Sequence, residues 1–102
     1  MPSGPSNTGG VTIASAAYTD RFKKDLKKYK KKDPDLYRDI RQAVQDLLQN
    51  PRRGYLRFEK LQGHEGIFTV HVRGNVKISM DIDGDHATLR RVGHHDTIDS
   101  NP

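Results

Sequence analysis

Among its 102 residues this chain has no cysteine and no tryptophan. Without cysteine there is neither a disulfide framework nor a thiolate metal site, and a reducing cytosol is compatible. Only 32% of the residues are hydrophobic, and no apolar run approaches the roughly 18 residues needed to span a bilayer. The N-terminus lacks the basic start and apolar centre of a secretory signal, so a soluble, cytoplasmic protein with no membrane association is expected. Residues 1–19 carry no charged side chain, which places all the charge in the remainder. The length allows one small domain, which buries only about 60–65% of its unfolded surface around a thin core.

What the chain does have is charge. Charged residues make up 30%, the formal net charge is +5 and the sequence pI is about 9.6. A basic surface favours polyanions such as RNA, DNA, anionic lipid or an acidic protein partner. The apolar residues are strongly periodic from Phe22 onward, which argues for a folded domain rather than disorder.

Met1 to Gly10, rich in Pro, Ser, Gly and Asn, is expected to be a flexible tail. Val11 to Ala17 alternates weakly and suggests a short first strand. Thr19 or Asp20 caps a helix whose apolar stripe is Phe22, Leu26 and Tyr29, surrounded by lysines. Asp33-Pro34 restarts the helix with an N-cap acid and a proline at the first position. The second stripe is Leu36, Ile40, Val44, Leu47 and Leu48, ending at Asn50-Pro51. The pair forms an antiparallel helical hairpin.

The rest alternates with period two. Phe68, Val70 and Val72 share one face of a strand, with Thr69 and His71 opposite. Val76, Ile78, Met80 and Ile82 are apolar, with Lys77, Ser79 and Asp81 opposite. If both apolar faces meet one core, paired residues share a face. A three-residue loop, Arg73-Gly74-Asn75, pairs Val72 with Val76 and His71 with Lys77, whereas a two-residue turn sets Val72 against Lys77. The loop is therefore preferred. Asp83-Gly84-Asp85 marks the next turn; it lacks the twelve-residue pattern and terminal Glu of a calcium loop. In the last strand, Ala87 to Val92, Leu89 turns inward and sends Arg90 to the face of Lys77 and Ser79. The resulting expectation is an α+β fold in which two N-terminal helices pack on a mainly antiparallel four-stranded sheet. The domain spans residues 11–96, and residues 97–102 form a C-terminal tail.

This order of elements, with Phe22-Lys23-Lys24-Asp25-Leu26-Lys27, Leu61-Gln62-Gly63 and Arg91-Val92-Gly93-His94-His95-Asp96, resembles the RelE/ParE superfamily of bacterial toxin–antitoxin toxins. The resemblance covers roughly Val11 to Asp96. It implies either a small basic ribonuclease that cuts mRNA in the ribosomal A site or a ParE-type inhibitor of DNA gyrase, neutralised by a cognate antitoxin. Glu59 matches a glutamate that resembles a general base in YoeB-like members. His71 falls where YafQ-like members place a catalytic histidine, and His95 matches a C-terminal histidine of both groups. Lys77 lies where many members have a phosphate-binding arginine, so a point charge replaces a bidentate fork. The tyrosine common near the last strand is absent, since Asp96, Thr97 and Ile98 follow His95.

Metal-free RNA cleavage by the 2′-hydroxyl needs a base for its proton, cations for the developing phosphorane charge, and an acid for the leaving oxygen. Glu59 or His71 is the candidate base and His95 the candidate acid. Lys77 and Arg90 are the phosphate ligands, with Arg73 nearby. Lys23, Lys24, Lys27, Lys28 and Lys31 are read as non-specific contacts to ribosomal RNA. The competing readings are a solvated helix face for the lysines, a simple ion pair with a neighbouring arginine for Glu59, and solvated surface positions for His64, His86 and His94. No cofactor or metal is expected. The preferred function is a ribosome-dependent mRNA endoribonuclease. The alternatives are a gyrase inhibitor and a catalytically silent RNA- or protein-binding relative.

Overall fold

The computed structural model of the protein describes residues 12–51 and 53–102. The expected flexible tail, Met1 to Gly10, and the first residue of the expected first strand, Val11, lie outside the described residues.

The helical hairpin forms as its caps dictate. Helix α1 spans Asp20–Lys32 and helix α2 spans Pro34–Gln49. Thr19 Oγ1 accepts from the Phe22 backbone N–H at 3.0 Å and donates to the Arg90 carbonyl at 2.8 Å, so one hydroxyl caps α1 and ties it to the sheet. Asp33 serves both helices. Its backbone N–H donates to the Tyr29 carbonyl at 2.8 Å, and its side chain accepts from Leu36 N–H at 3.1 Å, with Pro34 at the first helical position. Lysines in the last turn of α1 complement the helix dipole.

Phe22, Leu36, Ile40, Ala43, Val44 and Leu47 are buried from the hairpin, each larger side chain contributing about 1.5–3 kcal/mol. Leu48, expected on the buried stripe, is 37% exposed, and Ala43 takes the inward position instead. A short turn of 3-10 helix, Gly54–Leu56, is held to α2 by Tyr55, whose hydroxyl donates to Asp46. Burial and that carboxylate push the Tyr55 pKa up to about 12.

The sheet has five strands rather than the four expected, in the order β1-β5-β4-β3-β2. They are β1 (Ser15–Tyr18), β2 (Glu59–Lys60), β3 (Ile67–Arg73), β4 (Val76–Asp83) and β5 (His86–His94). β1 runs parallel to β5, and all other pairings are antiparallel. The extra strand is β2, only two residues long, too short for an alternation pattern to reveal.

Two bulges set the register. His71 pairs with Lys77 as expected, but the next pair is Arg73 with Val76. β3 and β4 are therefore joined by a two-residue Gly74-Asn75 turn, and the extra residue at Val72–Arg73 is a bulge rather than part of a loop. The bulge delivers the face-matching for which the longer loop was preferred, because either device adds one residue to the same strand. Gly74 has φ +54°, the left-handed conformation that glycine adopts without steric cost. In β5, Leu89 pairs with Met80 and Arg91 with Ser79, so Arg90 is the bulged residue.

One sheet face carries Val70, Ile78, Met80, Leu89 and Val92 into the core with the hairpin. β5 extends beyond its pairing with β1, and α1 covers that stretch: Asp25 Oδ2 accepts from the Val92 N–H at 3.1 Å and lies 3.9 Å from Arg91 Nε. Replacing Asp25 by alanine leaves the buried Val92 N–H unpaired and takes the nearby carboxylate away from Arg91. The expected cost is about 1–3 kcal/mol, read as a lower urea midpoint with an unchanged slope, and asparagine recovers part of it.

The chain does not fray after Asp96. His95–Ser100 form a third helix, α3, and Ile98 is fully buried. Ile98 falls in the expected C-terminal tail, where a single apolar residue among Asp, Thr and Ser carries no periodicity.

Candidate active site

The second face of the sheet holds the candidate residues in two rows. Glu59 pairs with Thr69, and Thr69 with Ser79. His71 pairs with Lys77, and Lys77 with Gly93. Cross-strand partners project on one side, and a diagonal neighbour two residues on is within reach of a long side chain, so Glu59 at the sheet edge flanks His71. Glu59 is exposed, and His71 and Lys77 are half-buried.

Helix α3 closes the row from the other end. The His95 backbone N–H donates to the Asn75 carbonyl at 2.7 Å. Its Nδ1 lies 3.3 Å from Asp96 Oδ1 and 3.8 Å from Asp99 Oδ2, while Lys77 Nζ donates to Asp99 Oδ1 at 3.1 Å. Asp99 thereby bridges Lys77 and His95, a link that alternation across strands does not reveal.

Arg90 sits on this face as expected. Its Nη1 is 3.3 Å from Asp81 Oδ2 and its Nε donates to the Pro102 carbonyl at 3.3 Å. Ser79 Oγ donates to the same carbonyl and is fully buried. The floor of this face at Ser79 lies under the C-terminal residues.

Arg73 is placed differently from the sequence reading. Its guanidinium contacts Asp39 at 2.8 Å and Asp33 at 3.8 Å, and so clamps β3 to the helical hairpin. The five lysines Lys23, Lys24, Lys27, Lys28 and Lys31 are all exposed on α1. His86 Nδ1 is 2.8 Å from Ser15 Oγ, and His94 Nδ1 is 3.2 Å from Asn75 Oδ1. Both therefore make local contacts at strand edges.

Arg57 is a residue that sequence reasoning missed. It stands between the 3-10 turn and β2 with φ 46°, a left-handed conformation that costs a non-glycine residue roughly 1–2 kcal/mol. The His71 pKa is lowered from its usual value by burial first, then by the positive charges of Arg57 and Lys77. Near neutral pH His71 is thus the free base. Its folded pKa lies below the unfolded one, so the native state gives up stability as pH falls from about 6.5 through the folded value. Arg57→Gln is expected to move the His71 titration upward, toward the ordinary histidine value, in an NMR titration of the imidazole. Burial keeps it from arriving there.

Among the described residues, no three histidine or acidic side chains converge as a metal-ligand set, and no helix is long and apolar enough to cross a membrane.

A family model described as the ParE toxin of the parDE type II toxin–antitoxin system matches residues 16–98. The chain belongs to the ParE toxin family. Solved structures agree in fold with this ParE-family toxin. YafQ from E. coli strain BL21(DE3) aligns with a TM-score of 0.69 at 20% identity, covering 81% of this chain and 94% of YafQ. A YoeB/ParE toxin from Agrobacterium tumefaciens aligns with a TM-score of 0.68 at 14% identity, over 79% and 98% of the two chains. The same fold is seen for YafQ in the E. coli DinJ–YafQ toxin–antitoxin complex, with a TM-score of 0.69 at 20% identity, over 81% and 93%. A search of the curated proteins gave no significant match.

Proposed function

We propose that this ParE-family toxin is a ribosome-dependent mRNA endoribonuclease that needs no metal. The observation that carries the reading is the paired row His71–Lys77, with His71 held as the free base and His95 anchored at the end of that row by its backbone bond to Asn75. His71 removes the 2′-hydroxyl proton, because a neutral imidazole accepts one at neutral pH. The resulting alkoxide attacks the adjacent phosphorus and the bond to the 5′-oxygen breaks. Lys77 and Arg90 hold the phosphate oxygens as charge develops on them. His95, in its protonated form, delivers a proton to the leaving 5′-oxygen. The products are a 2′,3′-cyclic phosphate and a 5′-hydroxyl. Glu59, exposed on the edge strand, is the second candidate base.

The domain is proposed to run from the first strand through α3, since Ile98 and Pro102 both contact the sheet region. A cognate antitoxin is the proposed protein partner, supported by the DinJ–YafQ complex of the same fold. The test is induced expression followed by primer extension on mRNA, with gyrase supercoiling measured in parallel. New mRNA 5′ ends inside the reading frame are expected, with supercoiling unchanged. Inhibited supercoiling with intact mRNA would transfer the protein to the gyrase class.

A further inference from the structure

The last residues of the chain lie on the face that carries the candidate site, and they occupy its cations. Lys77 Nζ has Asp99 Oδ1 at 3.1 Å. The Pro102 carbonyl accepts from Ser79 Oγ at 3.1 Å and from Arg90 Nε at 3.3 Å. Arg91 Nη1 donates to the Asn101 carbonyl at 2.9 Å. Both proposed phosphate ligands therefore already face oxygens of their own chain. A carboxylate or carbonyl oxygen offers these donors what an RNA phosphate oxygen offers, an acceptor at hydrogen-bond distance. The same donors cannot serve both occupants at once.

The attachment is uneven. Ile98 is fully buried and holds α3 in place. Beyond it Asp99 is 40% exposed, and residues 99–102 are held to the sheet by one ion pair to the half-buried Lys77 and by hydrogen bonds from Ser79, Arg90 and Arg91, with no buried apolar side chain among them. Residues 99–102 can therefore leave while His95 and Ile98 stay.

We infer that Asp99–Pro102 form a displaceable strap, which fills the phosphate positions of the free protein and is expelled when RNA enters. The inference rests on the ribonuclease reading of this face. Apparent RNA affinity is then reduced by the fraction of molecules that are strapped.

Two readouts on the unaltered and altered chains test it. One is fluorescence anisotropy with a single-stranded RNA oligonucleotide blocked by 2′-O-methyl groups. The other is the rate of Lys77 acetylation by an amine reagent, measured by mass spectrometry against Lys60 as internal reference. The informative variant lacks Ser100, Asn101 and Pro102, because it keeps Ile98 and loses no charged side chain. Asp99→Asn accompanies it. Ser79→Ala, which removes a donor to Pro102, replaces the shortened chain if that chain loses its thermal transition.

Both altered chains should bind the RNA about three- to tenfold more tightly with the thermal transition kept, and in Asp99→Asn, which removes the Lys77 partner, Lys77 should be acetylated faster relative to Lys60. Equal or weaker RNA binding than wild type overturns the strap, and weaker binding makes residues 99–102 part of the RNA site. If no form binds RNA, acetylation decides. Faster labelling keeps the strap, with RNA admitted only on the ribosome, whereas unchanged labelling sinks the strap and leaves the ribonuclease reading to the primer-extension test.

Discussion

Replacing His71 by alanine is expected to lower single-turnover cleavage of mRNA in programmed ribosomes by about 10²–10⁴-fold, the usual contribution of a positioned general base. The loss should fall on the chemical step, because the side chain stands beside Lys77 and not in the apolar core. Stability should change little, since no buried partner is orphaned. His95→Ala should give a loss on the same scale, and Glu59→Ala a loss only if the carboxylate shares the proton. The pH dependence separates the two bases. With His71 as base, the acid limb of the rate profile lies below the ordinary histidine range, because burial, Arg57 and Lys77 lower that pKa. In Arg57→Gln the limb should move upward. Full activity in all three alanine variants would remove the site assignment.

The second large effect concerns affinity. Changing Lys23, Lys24, Lys27, Lys28 and Lys31 together to glutamine should weaken ribosome association and flatten its dependence on salt. Five phosphate contacts correspond to a slope of roughly −3.5 to −4.5 in log affinity against log salt, so a large part of the wild-type slope should vanish. The fold should survive, because all five side chains are exposed and the helix is capped by Thr19 and Asp33 rather than by lysines. Lys28 also lies over the Tyr29 ring, 5.3 Å from its centroid, a contact of modest energy at an exposed position. Unchanged affinity and slope in a folded variant would make this helix a solvated face.

The two helices were legible because Thr19, Asp33 and Pro34 punctuate them and their apolar stripes repeat with helical period. The His71–Lys77 pairing was legible because period-two alternation permits only registers that keep apolar residues together. It survived even though the structure uses a bulge where a longer loop was preferred. Membership of the toxin family was legible in the order of elements and in three short motifs, and the match over residues 16–98 agrees.

Tertiary structure alone decided what covers the site and what tunes it. Burial of Ile98 makes α3 part of the domain, but one apolar residue in a polar stretch has no period to detect. Asp99 reaches Lys77 across 22 residues of sequence, and Arg57 lowers the His71 pKa from a separate element. Arg73 likewise finds Asp39 and Asp33 on the helical hairpin. Periodicity reports which side of an element meets apolar matter, because burial of apolar surface selects it locally. Pairing between charged groups far apart in sequence is set by the packing of whole elements against one another, and no local pattern encodes it.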